Sequence, residues 1–135
     1  MESFKGDGGR IGILDAIIEG QAWRLITAHL PHAECSDAVY EASLRTLQGQ
    51  IPLPVDARLC AVGVDANAVV GKQTDSDDTR IIGSWGLGPR SDRGRLFANW
   101  AHDQRLSVIN TMLQKSEEKQ WTHEGKATHV RWQID

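Results

Sequence analysis

The sequence predicts an α+β or α/β fold in which helices and sheet pack as a sandwich. Three observations carry this expectation. Apolar runs of strand length recur at Ile11–Ile18, Ala22–His29 and Leu59–Val64. Two other stretches, starting near Ser36 and Ser91, place apolar residues at helical spacing behind a side chain able to cap a helix. Strands alternating with helices bury a sheet face beneath the helices.

Taken in order, residues 1–10 are glycine-rich and expected to be loose, which leaves 11–135 as the folded domain. Ile11–Ile18 and Ala22–His29 read as strands. Glu19–Gly20–Gln21 is a turn between them, so the pair forms an antiparallel hairpin. The second strand stops before Pro31, which has no N–H for a ladder. Ser36 caps a helix to about Gln48, with Val39, Tyr40, Leu44 and Leu47 as its apolar stripe and Gly49 at its end. Ile51–Pro52–Leu53–Pro54 is an extended connector. Leu59–Val64 has the length and branching of a buried strand. An acidic loop follows with Asp75, Asp77 and Asp78, then a glycine-rich loop around Trp85. Ser91 or Asp92 caps a second helix to about Arg105, with Leu96, Phe97, Trp100 and Ala101 on its buried side. Leu106–Asn110 and Lys119–Thr122 read as short strands. Val130–Asp135 alternates apolar and polar residues as a final one.

The bulk properties narrow the class. A chain of 135 residues supports one domain with a real core, and 40% apolar with 24% charged residues is a soluble globular composition. A net charge of −3 argues against a surface that is basic overall, while leaving room for a local basic groove. Cys35 and Cys60 are the two cysteines, and Cys60 in its apolar strand reads as a buried free thiol. This usage, with a start lacking the apolar segment of a signal peptide, leads us to expect an intracellular setting, nuclear or cytoplasmic. No stretch is long and apolar enough to span a membrane. Five tryptophans imply several packing layers or exposed stacking surfaces.

The candidate chemistry sits where Leu59–Val64 runs into Asp65 and Asn67. Polar groups at the C-terminal end of a strand can be aimed at a substrate. Two residues apart on an extended backbone, a carboxylate and a carboxamide point the same way and suit a metal, a water or a phosphate. Asp and Asn are equally common in a plain turn after a strand, and both readings stand. Other motifs are excluded. The segment after Asp65 has Val69 at the fifth position and no closing Glu, so it is not a calcium loop. The five histidines lack zinc-ligand pairing, and no glycine-lysine phosphate loop is present.

Four ordered segments resemble one family. They are Ile26–Thr27–Ala28–His29–Leu30–Pro31–His32, Gly63–Val64–Asp65–Ala66–Asn67, Arg93–Gly94–Arg95–Leu96 with Leu106–Thr111, and Trp121–Thr122 with Gln133–Ile134–Asp135. Together they resemble the endonuclease/exonuclease/phosphatase superfamily, the fold of deoxyribonuclease I, and look most like the endonuclease domains of non-LTR retrotransposons. The resemblance implies a four-layer α/β/β/α sandwich and phosphodiester hydrolysis assisted by Mg2+ or Mn2+, with DNA or RNA as substrate. It implies that Asp65 orients the attacking water and Asn67 donates to the phosphate. His29 stands where relatives usually carry a phosphate-contacting Tyr, and His32 where they often place a substrate-contacting Asn. Asp135 matches the acid that orients a catalytic His, while Asn110, Thr122 and Arg131 fall near the substrate groove. Arg90, Arg93 and Arg95 could meet backbone phosphates.

The family's metal-ligating Glu and its catalytic His have no counterpart in these residues. The resemblance therefore implies a domain truncated at both ends, weakly active or inactive as isolated. Its exposed sheet edges imply self-association. A non-catalytic nucleic-acid-binding remnant, or a deadenylase- or phosphatase-like member of the superfamily, are the alternatives.

Overall fold

The computed structural model describes residues 3–7, 9–116, 123–124 and 131–132, with side chains described from 9 to 116. The fold is mixed α+β, and the chain divides into two compact units, Met1–Ala66 and Asn67–Asp135. No described helix is long and apolar enough to cross a membrane.

The first unit is a four-stranded sheet in the order β1 (Ser3–Asp7), β2 (Ile11–Ile18), β3 (Gln21–His29), β4 (Leu59–Asp65). The stretch expected to be loose thus forms a strand, because its backbone finds a partner in β2, Lys5 lying opposite Ile13. β2 and β3 form the expected antiparallel hairpin. Glu19 and Gly20, at φ 49° and 81°, make the two-residue turn whose twist matches the strands.

β3 and β4 run parallel, so the chain between them must cross over, and α1 (Asp37–Gln48) provides the crossing. Ser36 caps α1 by accepting from the Val39 N–H, as its chemistry predicts. Tyr40, Leu44 and Leu47 are buried, whereas Val39, expected on the same stripe, is about half exposed. A single-turn 3-10 helix at Pro54–Asp56 interrupts the expected extended connector.

Register sorts the sheet residues by face. Ile11, Ile26 and Ala28 are buried on one face beside Val62 and Val64. Arg24 lies on this face and donates from Nη1 to the Gln50 carbonyl just past α1, which locates the helix over it. Arg24 Nε and Nη2 also grip both oxygens of Asp15 at 2.7 Å, and Arg58 Nη1 adds a third contact at 3.0 Å. The opposite face carries half-buried Leu14, Trp23 and Leu25 with the exposed Ile18 and Leu59.

β4 is correct in position but not in burial. Its residues alternate between exposed and half-buried, and none is buried. Among the described residues β4 pairs with β3 alone, so it is an edge strand rather than the covered one its branched residues suggested. Cys60 is accordingly half-buried, and partial burial pushes its thiol pKa up, away from reactivity.

In the described part of the second unit a long loop packs on one long helix, and a single-turn helix follows. The core of the unit is Val70, Ile81, Ile82, Phe97, Trp100 and Ala101, with the Phe97 and Trp100 rings 5.5 Å apart. Ser91 caps α2 (Asp92–Asp103) by accepting from Gly94 N, and the same hydroxyl accepts from Val69 N. Gly94 is required because the Val69 carbonyl occupies the space a Cβ would need. The Arg90 Nε donates to the Val70 carbonyl at 2.7 Å, and its Nη1 and Nη2 clamp Asp77 at 2.9 and 2.7 Å.

Leu106–Asn110 is not a strand. It makes one parallel bridge, Val108 to Ile82, and then turns into α3 (Ile109–Met112). The buried Thr111 hydroxyl donates back to the Val108 carbonyl and accepts from Gly83 N, which pulls the chain into the turn. Of the expected C-terminal strands, a two-residue pair is described, β5 (His123–Glu124) with β6 (Arg131–Trp132). Lys119–Thr122 and the rest of Val130–Asp135 lie outside the described residues.

Two part-buried pairs contribute to the acid sensitivity of stability. The Arg90 guanidinium holds the Asp77 carboxyl below the usual range, and Arg24 does the same for Asp15. A depressed folded-state pKa contributes stability in full above the ordinary value of about 4, which is lost as pH falls through the depressed value. Thermal melts should therefore show a lower Tm at pH ~3 than at pH ~7. With side chains only 11% and 10% exposed, Arg90 and Asp77 form a pair whose breakage is costly. Arg90→Ala should lose about 3 kcal/mol at neutral pH, read by urea titration. An unchanged midpoint would rule out the clamp as a major support.

Candidate functional site

Parallel pairing fixes the site. The register sets His29 beside Asp65 at the C-terminal ends of β3 and β4. His29 N donates to the Arg10 carbonyl and Leu30 N to the Asp65 carbonyl, each at 2.9 Å, so both strand ends are held by backbone. The His29 Nε2 lies 3.7 Å from Asp65 Oδ2, and the side chains are 59% and 57% exposed. This is an ion pair whenever the imidazole is protonated, and a weak one in such exposure. Both groups present polar atoms to solvent from a rigid platform.

A brace lies immediately behind. Tyr40 is fully buried, and its hydroxyl donates to the Ala66 carbonyl at 2.8 Å. The helix that crosses over thereby pins the residue after Asp65. Periodicity identified Tyr40 as a core residue but gave no sign of this bond, since its acceptor is a backbone carbonyl far along the chain.

The other expected residues are dispersed or undescribed. His32 is exposed, and its carbonyl accepts from Cys35 N in a turn. Asn67 opens the second unit, half-buried with φ 47°. That left-handed backbone corrects the argument that Asp65 and Asn67 point the same way, which requires extended chain through Asn67. It suits Asn, which tolerates the region through its short polar side chain. Asn110 is exposed on α3 of the second unit. Arg131 is in β6, opposite Glu124 in the backbone register. Thr122 and Asp135 lie outside the described residues.

In the acidic loop two of the carboxylates are already paired with arginines. Arg90 takes Asp77, and Arg80 takes Asp78 through two hydrogen bonds that lower its carboxyl to about 2. Among the described residues no group of three His, Cys, Asp or Glu side chains could hold a metal ion. His29 and Asp65 supply two donors at this end of the sheet, and Mg2+ held by so few protein ligands would also need waters and substrate phosphate oxygens.

What the pair can do is proton and phosphate chemistry. A carboxylate accepts a hydrogen bond from a water, and an imidazole donates one to an anion or exchanges a proton. Comparison with protein families, curated proteins and solved structures found no match for this chain.

The Tyr40 brace is testable. Tyr40→Phe should cost about 1–2 kcal/mol, because the Ala66 carbonyl is left buried and unsatisfied. Amide exchange should rise at Leu30 and its neighbours. Wild-type stability together with unchanged exchange would dismiss the brace.

Proposed function

We propose that the chain is a phosphodiester-handling domain of the endonuclease/exonuclease/phosphatase type, derived from a retrotransposon-like endonuclease. The observation that carries this reading is the pairing of His29 with Asp65. Two segments singled out separately as strand ends become neighbours with both side chains at one end of the sheet. In this reading Asp65 orients the attacking water and His29 donates to a phosphate oxygen.

The sheet supports the finer fold. A four-stranded sheet with α1 on one face is compatible with one helix layer and one sheet layer of an α/β/β/α sandwich. Its other face, with Leu14, Trp23, Leu25 and Leu59, has the apolar character expected of a surface meeting a second sheet. Mg2+ or Mn2+ would belong to the complete catalytic domain, with DNA or RNA as the phosphodiester substrate.

A second reading is favoured by the missing ligand set. With no three-donor group among the described residues, the domain could bind nucleic acid without cleaving it. Both readings give weak or no turnover by this chain alone.

A plasmid-nicking assay with magnesium or manganese tests the first reading. Slow nicking is expected, and Asp65→Ala should cut it by about a hundredfold or more. Nicking that survives this substitution would sink the role given to Asp65. If the wild type does not nick, an oligonucleotide titration followed by NMR should shift the His29 and Asn67 amides for a binding remnant. Unmoved amides would remove both readings.

The edge strands β1 and β4 also make self-association part of this proposal. Sedimentation over a concentration series should show reversible growth in mass. A monomer throughout would refute it.

A further inference from the structure

The second unit contains a groove of about 500 Å3 between the Thr74–Ile82 loop and α2. Along α2, Arg95, Asn99 and His102 follow one another at four and three residues, a spacing that places them on one side of the helix. From the loop come the Thr74 and Ser76 hydroxyls, 3.0 Å apart. Ile82 and Ala98 are buried and make the apolar part of the wall.

The charge balance of this lining decides what it can hold. Its one carboxylate among the described residues, Asp77, is fully engaged. Arg90 Nη1 and Nη2 donate to it, as do Thr74 N and Thr74 Oγ1. Asp77 and Arg90 cancel in charge, so among the described lining residues no unpaired carboxylate is left to attract a cation. Asp78, which senses the His102 charge, is taken up by Arg80. The groups left facing the groove are donors: the Arg95 guanidinium, the His102 imidazole, the Asn99 carboxamide and the Ser76 hydroxyl. Among the described residues Arg95 reaches Asp92, at 3.3 Å, with side chains 65% and 91% exposed. Such a surface pair contributes little and yields to a better anion.

We propose that this groove binds a phosphate group, with Arg95 and His102 on its oxygens, Ser76 and Asn99 donating beside them, and the attached moiety against Ile82 and Ala98. A guanidinium with neighbouring neutral donors matches the several acceptors of a phosphate. The assignment rests on the lining of the groove and not on the nuclease reading, although the resemblance also set Arg95 against backbone phosphates. The phosphate could belong to a mononucleotide or to a nucleic-acid backbone.

The test is an NMR titration of the full chain with inorganic phosphate, adenosine monophosphate, a short single-stranded oligonucleotide and uncharged adenosine. The phosphate-bearing ligands should move the amides of Thr74 to Asp77 and of Arg95 to His102, and adenosine should not. Arg95→Gln should weaken binding roughly tenfold or more without changing the melt, since the side chain is exposed. Tighter binding of the mononucleotide, or of the oligonucleotide, upholds the site and identifies the source. No shift with any phosphate ligand at millimolar concentration would overturn the proposal. So would equal shifts with adenosine, or full affinity in a folded Arg95→Gln.

Discussion

The parallel pairing of β3 with β4 is the constraint on which the first unit depends. Parallel neighbours cannot be joined by a tight turn, so the chain must leave the sheet and return. α1 fills that excursion, and its stripe of Tyr40, Leu44 and Leu47 becomes buried in consequence. The register then decides everything at the strand ends. A slip of one residue would turn the alternation over, sending Ile26 and Ala28 out from the core. It would also separate His29 from Asp65. Arg58, immediately before β4, opposes such a slip by reaching the same Asp15 that Arg24 of β3 grips.

The same arrangement explains why the most apolar strand is not the best covered. Val62 and Val64 are branched residues that fit a pleated surface, and that preference reads as a strand wherever it occurs. Burial needs cover on both faces and a partner on both edges. β4 has one described neighbour, and its second face carries the exposed Leu59. Branching in the sequence reports the strand; coverage depends on what the rest of the chain brings to it. Cys60 is half-buried for the same reason.

What was legible in the sequence was local. Ser36 and Ser91 cap their helices because a hydroxyl two or three residues before a helical N–H needs no distant partner. Glu19–Gly20 turns where two residues must adopt positive φ. What was not legible was set by partners far along the chain. Arg90 looked like one surface cation among several, until the folded loop brought Val70 and Asp77 to it. Leu106–Asn110 alternates like a strand, yet Thr111 bonds to Gly83 and Val108 and ends it after one bridge. For the site, the strand and its terminal acid were readable, while the pairing of His29 with Asp65 was not, since it depends on the parallel register of β3 and β4. The left-handed Asn67 was not, since Asp-x-Asn is compatible with an extended or a turned backbone.

The choice of Asp65 over the other acids follows from what each is paired with. Asp15, Asp77 and Asp78 all bond to guanidinium groups. Arginine keeps its proton at any working pH, so those pairs are permanent fixtures of the folded state. Asp65 stands beside the His29 imidazole at the strand ends. It also sits on the backbone ladder rather than in a loop, with Leu30 N bonded to its carbonyl. A carboxylate that must meet a water or a phosphate has to remain accessible while its backbone stays still. In the first unit Asp65 meets both conditions, and Asp15, clamped by two arginines, meets only the second.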